Sequence, residues 1–384
     1  MPWRERSVMD ERIRFVISAD RKTTSMAVLC QEFGVSRPTG YRWLLRYREA
    51  GNVSGFSERS RRPHDSPSQT AEMVVDRIVS LRLAFTWGAR KLQILLEQEG
   101  LQVSESTINR ILKRHGLQHQ PEVVGQATTR FARETPNELW QMDFKGPYYM
   151  ATGRCCPLSI VDDHSRYAVG LYALNDQTAR SVHASLVQTF QQYGVPEAIL
   201  IDHGVPWYIP SGHGLTWLGV AMIKQGIRLC FSGFRHPQTQ GKVERFHRTL
   251  DDRLRHHGYP SRLTSWRQAL DDFVYEYNYI RPHESLGMAT PASRYLSSPR
   301  EYQENPPTWD YPSGATIKRL NTQGQLYWQS RYYFISEALS NEFVEINPCG
   351  ETLLVRYRHM WIREIDMKTG QSETLIGKPI NPYV

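Results

Sequence analysis

The stretch LWQMDFKG, residues 139–146, decides how this 384-residue chain folds. Trp140, Met142 and Phe144 alternate with Leu139, Gln141, Asp143 and Lys145, the period-two pattern of a strand with one well-buried face. Asp143 therefore points away from the aromatic face. Further along, AILIDHG (198–204) holds the short apolar run Ala198 to Ile201, which fits a strand buried on both sides and stops where turn residues begin. Asp202 thus stands at a strand end, where sheets commonly present functional groups. In HPQTQGKVERFHRTL (236–250), Val243, Phe246 and Leu250, with Leu254 beyond, recur at helical spacing and leave Glu244 one step off the buried stripe.

Taken singly, these are two strand-end aspartates and a solvated helical glutamate. Taken together, three converging carboxylates suit Mg²⁺, a hard cation that keeps several waters and is usually finished by substrate phosphates. Two such ions roughly 3.5–4 Å apart can activate an attacking oxygen and stabilise a leaving one in phosphoryl displacement. Asp143, Asp202 and Glu244 are therefore the expected metal ligands and catalytic residues, for two Mg²⁺ ions with Mn²⁺ able to substitute.

The order of these motifs carries a resemblance. WQMDFKG (140–146), IVDDHSRYAVG (160–170), YGVPEAILIDHG (193–204), HPQTQGKVERFHRTL (236–250) and YNYIRPHESLGMATPASRY (277–295) succeed one another, with 58 and 41 residues between the three acids. The chain resembles bacterial insertion-sequence DDE transposases with a retroviral-integrase-type catalytic core. That resemblance implies an α/β RNase H-like fold with a mixed five-stranded sheet flanked by helices. It also implies metal-dependent DNA strand cleavage and strand transfer without a covalent protein–DNA intermediate. Two departures stand out. His203 replaces the Asn common after the second aspartate, with Trp207 to Gly214 forming an extra loop beside the site. Asp251 stands where relatives often have Lys or Arg, seven residues after the glutamate, so Arg248, one turn on from Glu244, is the candidate for a phosphate contact. Lys242 is a second candidate DNA contact beside Glu244. His236 and Gln238 sit in a polar loop ahead of that helix.

Composition narrows the class. No segment approaches roughly 18 uninterrupted apolar residues, so no membrane span is expected, and the start lacks a signal-peptide pattern. Five cysteines at 30, 155, 156, 230 and 349 have no zinc-ligand or disulfide spacing and read as reduced thiols of a cytosolic protein, which the resemblance implies is bacterial and nucleoid-associated. No Gly-rich phosphate loop appears, so no nucleotide cofactor is expected. Asp162-Asp163-His164-Ser165, between two apolar strands, reads as a hairpin turn. Net charge is +8, of which residues 1–130 supply +7. A basic front end suits nucleic acid.

That front end reads as a tandem all-α helix-turn-helix region. In residues 1–50, Met26, Leu29, Cys30 and Phe33 share one helix face, Gly34-Val35 turns the chain, and Ser36 caps a second helix with Pro38 in its first turn. Arg37, Thr39 and Arg42 are its expected DNA contacts. Tyr41, Leu44 and Leu45 suggest one apolar stripe, Trp43 and Tyr47 another. Residues 51–68 form a linker in which Arg59, Arg61 and Arg62 can follow a minor groove. In 69–116 a second unit has Leu92, Leu95 and Leu96 on one helix; Ser104 caps another, with Ile108, Ile111 and Leu112 inward and Asn109, Arg110, Lys113 and Arg114 toward DNA.

Residues 117–135 connect to the catalytic core at 136–298, and 299–313 form a second linker. From 314 to 384, alternating stretches such as GQLYWQ, NEFVEI and TLLVRY predict a small all-β, SH3-like C-terminal barrel. The expected partners are double-stranded DNA at transposon ends and target sites, with self-association into at least a dimer on that DNA. The stripe Trp266, Leu270, Phe273 and Tyr277 can serve such a contact or the core of its own domain. A competing reading is a catalytically silent DNA-binding repressor derived from a transposase; the intact triad argues against it.

Overall fold

The computed structural model describes residues 8–58, 69–118, 132–151, 153–209, 214–232 and 241–376. The chain forms two compact units, divided between Thr70 and Ala71.

The first unit holds helices α1 (Val8–Asp20), α2 (Met26–Glu32) and α3 (Arg37–Ala50). Ser36 caps α3 as expected, its Oγ accepting from the Thr39 amide at 3.4 Å. Phe15, Val16, Leu29, Cys30, Trp43 and Leu44 are buried together, which settles the choice of stripe: Trp43 and Leu44 face inward, while Tyr41 and Leu45 are 57% and 59% exposed. The helices meet closely at Gly40, where a Cβ would lie 2.7 Å from Phe15 Cζ and 2.8 Å from Cys30 Sγ.

The second unit opens with another three-helix module, α4 (Glu72–Phe85), α5 (Ala89–Gln98) and α6 (Glu105–Arg114). Ser104 caps α6 by accepting from the Thr107 amide at 3.4 Å, and Leu92, Leu95, Leu96, Ile108, Ile111 and Leu112 form the core. This module is not a free bead. Ile280, from far along the chain, packs against its core, and a His256 ring nitrogen lies 2.6 Å from the Leu83 carbonyl oxygen.

An α/β layer follows, with strands β1 (Trp140–Phe144), β2 (Tyr148–Met150), β3 (Gly153–Asp162), β4 (Ala168–Leu174), β5 (Ala198–Ile201), β6 (Tyr208–Ile209), β7 (Gly214–Leu215) and β8 (Arg228–Phe231). Its helices are α7 (Ala179–Tyr193), α8 (Trp217–Lys224), α9 (Gly241–His257) and α10 (Leu263–Tyr275), the last running into a π-turn at Glu276–Ile280. The main sheet runs β4–β3–β1–β5–β8, with β2 added along β3. β3 is antiparallel to β4 and β1, whereas β1, β5 and β8 are parallel. This is the mixed five-stranded RNase H-like arrangement that the resemblance implied. One face buries Trp140 and Met142 with α7 and α8; the other buries Val161 and Ala168 with α9 and α10. Trp266, Leu270, Phe273 and Tyr277 belong to that second core, so the stripe packs on its own domain.

The C-terminal region is all-β: β9 (Thr316–Arg319), β10 (Gln325–Trp328), β11 (Arg331–Phe334), β12 (Phe343–Cys349), β13 (Thr352–Tyr357), β14 (Met360–Asp366) and β15 (Ser372–Thr374). Its antiparallel sheet runs β15–β14–β13–β12–β9, and β10–β11 form a separate hairpin. Leu326, Val344, Ile346 and Val355 share one continuous core with Leu218 and Trp140 of the α/β layer. Residues 299–313 contain no helix or strand, yet they are fastened down. The Arg300 guanidinium donates to the carbonyl oxygens of Pro196 at 2.6 Å, Gln225 at 2.8 Å and Gly226 at 3.0 Å.

That strap dictates a glycine. Gly194 has φ 77° and ψ −179°, a region that only glycine enters freely, and a Cβ there would lie 2.3 Å from the Ser298 oxygen. Gly194→Ala is expected to lower the stability of the core by at least about 2 kcal/mol in urea unfolding. Gly258→Ala, with φ 88° but nothing within 4 Å of the added carbon, should cost distinctly less. Equal losses would show that the strap does not press on Gly194.

Candidate functional site

β1 is the middle strand of the sheet, and its alternation does what the sequence requires. Trp140 and Met142 are fully buried on one face; Gln141 and Asp143 project to the other, under α9. Asp143 pairs in register with Ser159 of β3. β5 runs parallel to β1, with Gln141 opposite Leu200, so Asp202 leaves its strand at the same end of the sheet. An amide tie from Gly204 to Asp202 Oδ1 at 3.0 Å closes the turn there. Glu244 lies in the first turn of α9 and is exposed.

What seats α9 is a residue that periodicity alone did not single out. Gln141 Oε1 accepts from the Val243 amide at 3.3 Å, satisfying a first-turn N–H that the helix cannot pair internally. The Gln141 amide nitrogen donates to buried Asp163 at 2.8 Å. Asp163 also holds the Lys242 ammonium and accepts from the Arg133 amide at 2.9 Å. Lys242, expected to face DNA, is instead turned inward: a buried carboxylate beside the helix start outcompetes solvent for its charge. The neighbouring Asp162 accepts from the Ser165 amide at 2.8 Å and from its hydroxyl at 2.6 Å, so this tetrad is the hairpin turn anticipated.

Electrostatics couple the three acids. Burial, then the charge of Asp202 and, more weakly, that of Glu244 push the Asp143 carboxyl up to about 7, against relief from the Phe144 backbone amide and Lys145. Among the described residues no three His, Cys, Asp or Glu side chains stand close enough together to hold a metal ion by themselves. Like charges hold such groups apart, and the missing ligands of a Mg²⁺ site normally come from water and substrate phosphate. The donor set, all carboxylate oxygen with one member reluctant to ionise, fits a divalent cation.

Two further residues complete the surroundings. The buried His247 ring has its Nε2 2.8 Å from the Ser159 hydroxyl and its Nδ1 3.9 Å from Asp143 Oδ2. Burial and, secondarily, the Lys145 charge push it down to about 4, so it is a neutral imidazole beside the acid. Asp251 pairs with Lys145 at 3.1 Å and accepts from the Tyr148 hydroxyl. The acidic residue that departs from the family pattern thus has a positive partner, supplied by the strand end next to Asp143. In the extra loop, Trp207 is buried and stacks on Phe144 at 5.6 Å, while the His203 ring lies 5.3 Å from Phe231.

Arg37, Arg42, Asn109, Arg110, Lys113, Arg114 and Arg248 are exposed as a DNA-facing role requires. Thr39 is partly occupied by the cap, its hydroxyl 2.9 Å from that of Ser36. Arg59, Arg61, Arg62, His236 and Gln238 lie outside the described residues. Cys30, Cys155, Cys156, Cys230 and Cys349 are free thiols, the last exposed. No described helix is long and apolar enough to cross a membrane.

Known protein families match the stretches that hold the three acids. Integrase core domain families match residues 133–208, which contain Asp143 and Asp202, and 225–291, which contain Glu244. A helix-turn-helix domain family matches residues 11–64, and a homeodomain-like family matches 39–112. The chain is thus similar to integrase core domains behind a stretch similar to helix-turn-helix domains, and its curated relatives include insertion-element proteins. It is 27% identical over 268 residues to an uncharacterized 39.2 kDa protein of insertion element IS476 from Xanthomonas euvesicatoria, covering 68% of this chain and 75% of that one. It is 23% identical over 281 residues to the transposase for insertion sequence IS1202 from Streptococcus pneumoniae, covering 62% and 60%. Among solved structures, the HTLV-2 integrase catalytic core domain aligns at 17% identity with a TM-score of 0.33, covering 42% of this chain and 97% of that one.

The raised Asp143 carboxyl has a measurable consequence. At about pH 3 it is largely neutral whether the chain is folded or not; between about pH 4 and 7 the unfolded chain ionises it while the fold keeps it protonated, so stability falls across that window and levels off above it. Asp143→Asn, always neutral, should therefore match wild type at about pH 3 and exceed it at about pH 8 in chelator, by at most about 4 kcal/mol. Added Mg²⁺ should narrow the gap by stabilising wild type alone. Thermal melts that show no pH-dependent gap would contradict this.

Proposed function

We propose that this chain is a DNA transposase that binds the terminal inverted repeats of an insertion sequence and catalyses metal-dependent strand cleavage and strand transfer. What supports the reading is the placement of Asp143 near the end of the middle strand and Asp202 just past the end of the parallel strand beside it, with Glu244 in the first turn of the helix that Gln141 pins over that face. Asp143, Asp202 and Glu244 would hold two Mg²⁺ ions, which when bound activate an attacking oxygen and neutralise charge on a leaving one. A water oxygen attacks the phosphorus at the element's end; the bond to the 3′ oxygen breaks, and that oxygen takes up a proton. The freed 3′-OH then attacks a target phosphodiester, forming one P–O bond as another breaks.

The chain's own groups position this chemistry. Gln141 and the buried stripe of α9 hold Glu244 over the sheet, and the neutral His247 ring sits beside Asp143 without adding charge. Arg248, exposed one turn after Glu244, offers a cation to the DNA backbone, while α3 and α6 present Arg37, Arg42, Arg110 and Lys113 for recognition. Two helix-turn-helix modules read a longer site than one can.

Asp143→Asn, Asp202→Asn and Glu244→Gln are each expected to abolish cleavage and joining in Mg²⁺ while end binding persists, because the recognition helices lie elsewhere. A variant that keeps substantial activity would remove that residue from the ligand set. Inserting an element requires two ends, so the active form is expected to be at least a dimer assembled on DNA. Light scattering with and without end DNA checks this: paired strand transfer by a complex with one protein per two ends would contradict it.

A further inference from the structure

The seam between the second helix-turn-helix module and the α/β core gathers more positive charge than its ion pairs neutralise. Lys91 comes from α5, Arg166 from the β3–β4 turn, Arg245 from the first turn of α9, and Arg281 from just beyond the π-turn. The seam itself is tightly made. Ile280 enters the module's core, Lys91 meets the exposed Glu284 at 3.6 Å, and the Arg281 guanidinium lies 5.8 Å from the centre of the Tyr277 ring. The Tyr277 hydroxyl is 3.5 Å from His283 Nε2.

The nearby acids are already engaged. Asp163 holds Lys242 and Gln141, and Glu276 holds Arg253 at 2.7 Å. Among the described residues no carboxylate lies within ion-pair reach of Arg166, Arg245 or Arg281. Two guanidinium nitrogens, Arg166 Nη1 and Arg281 Nε, are buried with no hydrogen-bond partner. Folded proteins rarely leave buried donors unpaired, because each lost acceptor costs the full desolvation of the group. The strain is felt locally: burial first, then the neighbouring Arg281 charge, pushes both Lys91, to about 8, and His283, to about 3, below their ordinary values.

We propose that Lys91, Arg166, Arg245 and Arg281 form a seat for a phosphodiester of the DNA backbone, bridging the second helix-turn-helix module and the helix that carries Glu244. The inference rests on the reading that DNA is this protein's substrate. Guanidinium groups match phosphate oxygens in pairs, and Arg245, next to Glu244 and exposed, leaves the seat open to a long polyanion. Such a seat sets the distance from the sequence read by α6 to the bond that is cut.

The test uses the full chain and a duplex unrelated in sequence to any terminal repeat, so that only backbone contacts are read. Arg281→Met should lower affinity at least about tenfold and reduce the slope of log affinity against log salt by about 0.9, with Arg281→Lys recovering part of both. Arg245→Gln, on an exposed helix surface, should reproduce the loss even if the Arg281 variant folds poorly; circular dichroism melts establish which variants are folded. Inorganic phosphate alone serves as the second probe. An unchanged DNA slope in folded variants overturns the proposal, and stabilisation by phosphate with that unchanged slope assigns the seat to a free anion instead. Absence of DNA cleavage by wild type would count against the catalytic reading while leaving the salt slope fully readable.

Discussion

The seating of one helix governs this site. α9 lies on the sheet because Val243, Phe246, Leu250 and Leu254 are buried against it, and its first turn is pinned by Gln141 of the middle strand. Burial of four such side chains is worth roughly 1.5–3 kcal/mol each, far more than any single contact among the polar groups. The apolar stripe therefore decides where Glu244 stands, and the electrostatic cost of bringing it toward Asp143 and Asp202 is borne by packing. Local charge repulsion at a functional site, offset by a large core elsewhere, is the expected arrangement where a cation or substrate restores the balance.

Much of this was legible in the sequence because it depends on short-range periodicity. The alternation around Asp143, the apolar run before Asp202 and the helical stripe beside Glu244 each fix a local element and the direction of one side chain. The caps at Ser36 and Ser104 were legible for the same reason: an N-cap is chosen by residues three apart. The choice of buried stripe on α3 was not, since Tyr41 and Trp43 are equally apolar and only the close approach of α1 and α2 at Gly40 selects between them.

What the sequence hid depends on partners far along the chain. Lys242 looked like a DNA contact because nothing nearby in sequence competes for it; its partner, Asp163, lies 79 residues earlier. Asp251 departs from the family pattern, and its partners Lys145 and Tyr148 lie 106 and 103 residues earlier. Residues 299–313 have the composition of a linker, yet Arg300 ties them to three carbonyl groups, and the C-terminal sheet shares its core with the α/β layer. Neither a shared core nor the seam under α5 leaves a periodic trace in either partner alone.

On the proposed reading, Asp143, Asp202 and Glu244 form one divalent-metal site completed by DNA phosphate. Counting bound Mn²⁺ by electron paramagnetic resonance, with and without end DNA, tests it most directly. Wild type should take up about two ions per chain once DNA is present, with Asp143→Asn, still bound to the same DNA, losing that uptake. Equal Mn²⁺ uptake by both proteins would contradict the account.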